Sequence, residues 1–325
     1  MSSSPRTICA KESGRLDRVL RNSLEKELAQ KISRKSWDFL FEHGLVKRSD
    51  AKRYRAGDSI NKGDLITLLF PSESLGLTAN PEIQVETVAG DVEKSWIIFN
   101  KPKGIATYSH YPWDHSSFAN GINSYLEKQN FNSFEALAEP PHLEGGLVQR
   151  LDRNTSGVLL CALNKLNKDL FRKLISEKKV EKKYLALVSG VCESGVRNFF
   201  LRASGAKKMK ASSVRCADTD IEVSLEVKQL SSNNFSLLEI TTRDGARHVV
   251  RACMASLRFP LIGDELYGGV NICDINYHQL HALSLKVYAK LDPIFSDLQK
   301  GVSVAPPKEF LENIRKLELN YNYAK

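Results

Sequence analysis

The apolar positions near the start of the chain predict two amphipathic helices. In residues 15–24 they recur at intervals of three and four and fall on one face, with arginines on the other. Ser33 is a suitable N-cap for a second helix, which Gly44 would end. Residues 57–70 then read as short strands joined by Gly-Asp turns. This pattern predicts a small N-terminal α/β module.

Further along the chain, strand patterns dominate. Residues 158–163 form an apolar run typical of a buried strand, residues 220–230 alternate strictly, and residues 235–242 suit an antiparallel neighbour. Helices are predicted over 164–179 and 246–257. The inward face of the first of these helices is predicted to contain Leu166, Leu170, Leu174 and Ile175. Strands outnumber helices and no βαβ repeat is found, so we predict an α+β fold with a mixed, largely antiparallel sheet.

Composition shifts divide the chain into three parts. We predict a basic module over 1–70, a linker over 71–93 that is rich in turn residues and acidic, and a larger domain over 94–325. The longest apolar run has six residues, Val158 to Leu163, whereas a membrane-spanning helix needs about 20. The N-terminus lacks the apolar stretch of a secretory signal. We therefore expect a cytoplasmic protein that does not enter the membrane.

Cysteine spacing gives no indication of a metal site. None of the six cysteines forms a CxxC pair or lies near a histidine at zinc-ligand spacing. We expect reduced thiols, no disulfide framework and no bound metal.

Charge is concentrated in the N-terminal module. The net charge is +9, and residues 1–70 carry 15 Lys and Arg against 9 Asp and Glu. A basic module predicts a polyanionic partner, with RNA first among the candidates. A solvated basic helix pair without such a partner would give the same periodicity. The residues predicted to contact RNA are Arg34, Lys35, Lys47, Arg48, Lys52 and Arg53.

The strongest candidate for chemistry is the segment QRLDRNTSG at residues 149–157, which directly precedes the buried strand. Its acid, Asp152, would be held rigidly by that strand. Arg150 and Arg153 flank the acid, and basic neighbours keep a carboxylate ionised. Asp, Asn, Ser and Gly are also ordinary turn residues, so an inert polar turn has the same composition.

Other motifs, taken in order with this segment, resemble those of one enzyme family. They are IFNKPKG (98–104), RLDRNTSG (150–157), KYLALVSG (183–190), GARHVVR (245–251), FPLIGDELYG (259–268) and LHA (280–282). From about residue 15 to about residue 295 the chain resembles a pseudouridine synthase of the RluA type. Its N-terminal module is similar to an RNA-binding domain first known in a small-subunit ribosomal protein.

This resemblance implies a reaction and a set of site residues. Uridine in RNA would be isomerised to its C-glycoside without a cofactor, and Asp152 would be the catalytic carboxylate. Arg251 would pair with Asp152, and Tyr184 would be the active-site tyrosine. The resemblance permits either attack on the sugar carbon or abstraction of a ribose proton by Asp152. The implied substrate-binding residues are Arg150, Asn154, Thr155, Lys101, His248 and Leu280.

Four positions depart from the family pattern. Gln149 and Cys253 stand where histidine is usual, Ala246 replaces an arginine, and Val249 replaces a glutamine. None of these changes affects the three implied catalytic positions. The departures bear on the identity of the substrate and, to a lesser degree, on activity.

Several functions therefore compete. The first is a synthase acting on large-subunit ribosomal RNA as a monomer, with transfer RNA as the alternative substrate. The second is an RNA-binding relative that has lost catalysis. A third, glycoside cleavage by two carboxylates, requires a second acid near Asp152, and the motifs indicate none.

Overall fold

The chain forms two compact units. The computed structural model describes residues 6–27, 34–42, 44–48, 54–69, 77–109, 115–131, 144–205 and 207–322. The first unit comprises Met1–Gln84 and Tyr108–Gly145, and the second comprises Val85–Thr107 and Gly146–Lys325. No helix among the described residues is long and apolar enough to cross a bilayer.

The first unit is a small α/β structure. Strands β1, β5 and β3 form one antiparallel sheet in that order, and β2 pairs with β4. Both predicted helices are confirmed, and the proposed Ser33 cap lies outside the described residues. The elements are β1 (Arg6–Cys9), β2 (Gly14–Arg15), α1 (Leu16–Glu27), α2 (Arg34–Glu42), β3 (Val46–Arg48), β4 (Ser59–Ile60), β5 (Leu65–Leu68) and α3 (Phe118–Lys128).

Apolar side chains from α1, α2, β1, β3, β4 and β5 form a common core, in which Leu16, Trp37 and Ile66 are almost completely buried. The predicted Gly-Asp turns are built by aspartate side chains. The Asp58 carboxylate accepts from the Arg55 amide, and the Asp64 carboxylate accepts from the Asn61 amide, each at 2.8 Å. Such local bonds explain why these turns are readable in the sequence.

The second unit is built on a sheet that has ten strands in the described part of the chain. Its strand order is β11-β10-β12-β13-β9-β14-β8-β7-β6, and β15 pairs with β14. All strand pairs described in this sheet are antiparallel except β8 with β14, which confirms the predicted mixed, largely antiparallel sheet. The strands are β6 (Glu86–Asp91), β7 (Trp96–Lys101), β8 (Ser156–Ala162), β9 (Val180–Ser189), β10 (Gly195–Ser204), β11 (Lys208–Ser212), β12 (Ile221–Ser232), β13 (Phe235–Thr242), β14 (Leu280–Val287) and β15 (Val302–Ser303).

Among the described residues, four α-helices accompany this sheet. They are α4 (Lys165–Ser176), α5 (Val249–Ser256), α6 (Ser296–Lys300) and α7 (Lys308–Lys316). Helix α4 packs with Phe171 and Leu174 against the core. Leu166 was predicted to face inward, but it is 82% exposed because the buried stripe of α4 runs through Lys168, Phe171 and Leu174.

The predicted linker contains a strand. Within residues 71–93, Glu86–Asp91 form β6, which pairs antiparallel with β7 at the edge of the large sheet. The turn residues Gly90 and Asp91 concealed this strand in the sequence. The domain boundaries 1–70, 71–93 and 94–325 stay predictions.

Strands β8 and β14 approach each other closely at Gly157 and Ala282. Gly157 on β8 is level with Ala282 on β14, which in turn is level with Tyr184 on β9. Gly157 has a φ of 116°, and a Cβ added there would lie 2.1 Å from the Ala282 carbonyl oxygen. Glycine is therefore required at the point where the loop bearing Asp152 enters the sheet.

We expect Gly157→Ala to lower the free energy of unfolding of the second unit by about 3 kcal/mol. The overpacked methyl group and the unfavourable backbone conformation each cost about 1–3 kcal/mol. Urea denaturation would measure the change. Gly245→Ala is the matched control, since a Cβ there meets its nearest neighbour, Ile175, at an ordinary 3.4 Å. Equal stability of the two variants would contradict the prediction.

Candidate active site

Asp152 lies in the loop that enters β8, and a buried lysine holds the backbone of this loop. The Lys101 ammonium donates to the carbonyl oxygens of Asp152, Arg153 and Thr155 at 3.3, 3.1 and 2.9 Å, and to that of Pro102 at 2.8 Å. The Thr155 amide donates to the Asp152 carbonyl at 3.0 Å. These hydrogen bonds therefore hold the backbone of the loop in place.

Lys101 was predicted to line the substrate pocket, and the structure places it elsewhere. Its side chain is completely buried, and its donors face the carbonyl oxygens just described. Burial lowers the pKa of Lys101 to about 7, while the negative charge of Asp152 acts in the opposite direction. Lys101 of the KPKG turn thus supports the backbone of the loop that bears Asp152.

Gly104, which ends that turn, and Thr107, which follows it, each make two hydrogen bonds to the loop. The Arg153 guanidinium donates to the Gly104 carbonyl at 2.8 Å, and the Gly104 amide donates to the Arg153 carbonyl at 2.9 Å. The Thr107 hydroxyl donates to the Leu151 carbonyl at 2.6 Å and accepts from the Leu151 amide at 3.0 Å. These pairs fix the residues on both sides of Asp152, which limits the movement of its carboxylate.

The Asp152 carboxylate is paired with a buried arginine. Its Oδ2 atom lies 2.8 Å from Nη1 of Arg251 on α5. Arg251 is only 6% exposed. Burial raises the pKa of Asp152. The charge that protonated His248 carries at acidic pH, together with the charge of Arg251, outweighs burial, so that the pKa lies below its usual value. Asp152 is therefore ionised at neutral pH.

Asp264 completes this ion-pair chain. Its two oxygens accept from Nε and Nη2 of Arg251 at 2.7 and 2.8 Å, a bidentate contact between side chains that are both buried. The planar guanidinium thereby points its remaining Nη1 group at Asp152. The role of Asp264 was missed in the sequence, although residues 259–268 form one of the family motifs.

His248 contacts the other oxygen of the Asp152 carboxylate. It caps α5 with a φ of 54°, and its Nε2 atom lies 3.4 Å from Asp152 Oδ1. Burial lowers the pKa of His248 below its usual value, although the charge of Asp152 opposes this shift. The imidazole is therefore neutral at neutral pH.

A cleft of about 340 Å³ opens above Asp152. The strand register brings Tyr184 to it on β9 and Leu280 on β14. Burial and the Asp152 charge raise the pKa of Tyr184, so its hydroxyl keeps its proton. Most of the predicted catalytic and substrate-binding residues line this cleft: Arg150, Asp152, Thr155, Tyr184, His248, Arg251 and Leu280.

Asn154 and Thr155 line different clefts. Asn154, predicted to bind substrate, lines a neighbouring cleft with Lys103 and Tyr277. The Thr155 hydroxyl bonds His278 Nε2 at 2.9 Å. Burial lowers the pKa of His278 to about 4, so this histidine is a neutral support of the loop.

Comparison with known proteins identifies the family. A model of the RNA pseudouridylate synthase family matches residues 95–256, which contain Asp152, Tyr184 and Arg251. This chain belongs to that family.

Relatives of this synthase cover most of its length. Ribosomal large subunit pseudouridine synthase D of Borreliella burgdorferi is 28% identical over 266 residues, spanning 79% of this chain and 76% of that protein. Ribosomal large subunit pseudouridine synthase C of Rickettsia conorii is 28% identical, spanning 75% and 79%. The solved structure of human RNA pseudouridylate synthase domain containing 4 shares the fold, with a TM-score of 0.56 and 20% identity, covering 73% of this chain and 94% of that one.

The departures of this synthase from the family pattern fall in two places. Ala246 and Val249 line the cleft itself. The Gln149 amide instead donates to the Val158 carbonyl at 3.4 Å, and Cys253 is completely buried on α5. The first two substitutions therefore change the surface offered to substrate, while the other two lie in supporting positions.

The predicted RNA-binding residues of the synthase lie partly within the described structure. Lys47 and Arg48 are on β3, where the Arg48 guanidinium lies 5.2 Å from the centre of the Tyr54 ring. Helix α2 begins at Arg34, and the side chains of Arg34 and Lys35 are not among the described ones. Lys52 and Arg53 lie outside the described residues.

Proposed function

We propose that this synthase converts uridine in large-subunit ribosomal RNA to pseudouridine, with Asp152 as the catalytic carboxylate and without a cofactor. The observation that carries the proposal is the ionised Asp152 carboxylate, held by Arg251 at 2.8 Å beneath a cleft walled by Tyr184. The names of the bacterial relatives support ribosomal RNA as the substrate.

The chemistry assigns one task to each side chain. The target nucleotide must leave its stack and enter the cleft, which costs a few kcal/mol. Arg150, exposed at the rim, would occupy the place that the base leaves. Asp152 then acts on the ribose while the glycosidic bond breaks, the uracil turns, and its carbon 5 joins the sugar. The raised pKa of Tyr184 favours packing against the uracil face rather than action as a phenolate base.

Tritium release tests this proposal directly. Isomerisation moves the hydrogen on uridine carbon 5 into water, so the protein is added without a cofactor to unmodified RNA labelled there. Release from ribosomal RNA is the expected result. Release from transfer RNA alone would show that the substrate is wrong, and binding without release from either RNA would favour a non-catalytic relative.

The N-terminal unit is proposed to bind RNA through phosphate groups. We expect Lys47→Ala with Arg48→Ala to weaken binding and to reduce the slope of log affinity against log salt by about 1 for each phosphate that these side chains neutralise. Filter binding at several salt concentrations measures this slope. Lys165→Ala with Lys173→Ala is the control, because these lysines of α4 lie beside the carboxylates of Asp169 and Glu177. An unchanged slope in the first variant would contradict the prediction.

A further inference from the structure

A second chain of contacts reaches the Asp152 carboxylate from the hairpin of β10 and β11. Tyr267 follows Asp264 by three residues in a short 3-10 helix. Its hydroxyl oxygen lies 2.9 Å from the Met209 amide nitrogen and 2.9 Å from His248 Nδ1. His248 Nε2 is 3.4 Å from Asp152 Oδ1. One tyrosine hydroxyl thus stands between a backbone amide and the histidine beside Asp152.

The Met209 amide and the negative charge of Asp152 together fix the direction of these contacts. The Met209 amide can only donate, so the Tyr267 oxygen accepts from it. That oxygen could also accept from Nδ1–H of His248, but that tautomer would leave the Nε2 lone pair facing the negative Oδ1 of Asp152. The Tyr267 hydroxyl therefore donates, and His248 Nδ1 accepts. A neutral imidazole that accepts at Nδ1 carries its hydrogen on Nε2. That hydrogen lies on the nitrogen nearest to Asp152 Oδ1, so the contact between His248 and Asp152 is attractive.

This arrangement occupies the oxygen that Arg251 leaves free. Arg251 binds Oδ2 of Asp152, and His248 faces Oδ1. If Nδ1 of His248 carried the hydrogen, the lone pair of Nε2 would face the negative oxygen, and the contact would become repulsive. The tautomer of His248 therefore decides whether the carboxylate is held on one side or on two.

Packing keeps the tyrosine and the histidine in place. The rings of Tyr267 and His248 meet edge to face, with centres 5.7 Å apart. The Arg251 guanidinium lies 5.2 Å from the centre of the Tyr267 ring. Burial raises the pKa of Tyr267, so its hydroxyl remains a donor.

We propose that Tyr267 is a positioning residue that fixes the Nε2–H tautomer of His248 and thereby orients Asp152 for catalysis. The inference rests on the proposed catalytic role of Asp152. Tyr267 is not among the described residues that line the cleft above Asp152. It acts through His248, and its removal should therefore affect turnover and leave substrate binding unchanged.

The test begins with Tyr267→Phe in the full-length protein. We expect kcat for tritium release to fall about 10–100-fold, as is usual when a group that orients a histidine ligand is removed, with KM unchanged. Tyr288→Phe is the matched control, because the Tyr288 hydroxyl donates to Glu181 at 3.2 Å, away from the cleft. Wild-type kcat in Tyr267→Phe would overturn the proposal, and so would a rise in KM that accounts for the loss.

A double-mutant cycle separates positioning from general loss of structure. If Tyr267 acts through His248, Tyr267→Phe should add nothing to the loss caused by His248→Ala. If the kcat loss in the double variant is instead the product of the two single losses, Tyr267 acts independently of His248, and the proposal is wrong.

The nitrogen NMR shifts of His248 test the tautomer without turnover. The wild-type protein should show a protonated Nε2 and an unprotonated Nδ1, and Tyr267→Phe should show a mixture of the two tautomers. A protonated Nδ1 in the wild type would overturn the inference. Because this readout needs no RNA, it distinguishes failure of the inference from failure of the proposed function, in which the wild type would release no tritium.

Discussion

Replacing Asp152 with alanine is expected to lower tritium release at least about 10⁴-fold, the scale seen when a catalytic nucleophile is removed. No other carboxylate among the described residues lines the cleft, so none of them can take over the reaction. RNA affinity should stay nearly unchanged, since phosphate contacts supply most of it.

The two measurements must be made on the same preparation. Tritium release gives turnover, and filter binding at fixed salt gives affinity. Asp218→Ala is the matched control, because Asp218 is an exposed aspartate in the turn before β12. It should leave both quantities as in the wild type. Normal turnover in Asp152→Ala would show that the catalytic assignment is wrong.

Ordered motifs predicted which distant residues meet, because these motifs lie on elements that the sheet brings together. Tyr184 and Gly157 are 27 positions apart in the sequence, yet both are level with Ala282 in the sheet. The family resemblance supplied the pairing of Asp152 with Arg251. Periodicity alone gave the strands and helices, but it gave no reason to connect an acid in one loop with a base on a helix.

Two predicted substrate-binding side chains lie outside the cleft above Asp152, and two supporting residues were missed, for a common physical reason. A motif shows that a residue is near the site, but it does not show which way the side chain points. Lys101 points beneath the loop, and Asn154 points into a neighbouring cleft. Asp264 and Tyr267 were missed because their partners, Arg251 and His248, lie on a different element, and only the three-dimensional contacts reveal their roles.

The ion pairs from Asp264 through Arg251 to Asp152 stabilise the charged groups of this site. Arg251 carries one positive charge between two carboxylates, and its three bonds to them have lengths of 2.7 to 2.8 Å. Lysine has no fork of donors and cannot reproduce this geometry. Arg251 thus balances the charges of both carboxylates and contributes to the lowered pKa of Asp152.

Replacing Arg251 with methionine is expected to lower the free energy of unfolding at neutral pH by about 3–5 kcal/mol, because it leaves the buried Asp264 and the partly buried Asp152 without their cation. Tritium release should fall as well, since Asp152 loses the bond that orients it. Urea denaturation and the release assay measure the two effects. Arg243→Met is the matched control, because Arg243 pairs with Glu181 while half exposed, and such surface pairs contribute about 0–1 kcal/mol.

The pH dependence should identify the cause of the loss. In the wild type, the pKa of Asp152 is lowered from 3.8, so its stabilising contribution is present above that value and disappears as the pH falls through the lowered pKa. Without Arg251 the pKa of Asp152 rises, and the acid limb of residual activity should move to higher pH. The difference in unfolding free energy should shrink as Asp152 takes up its proton. A pH-independent difference would assign the loss to packing of the arginine side chain instead of its charge.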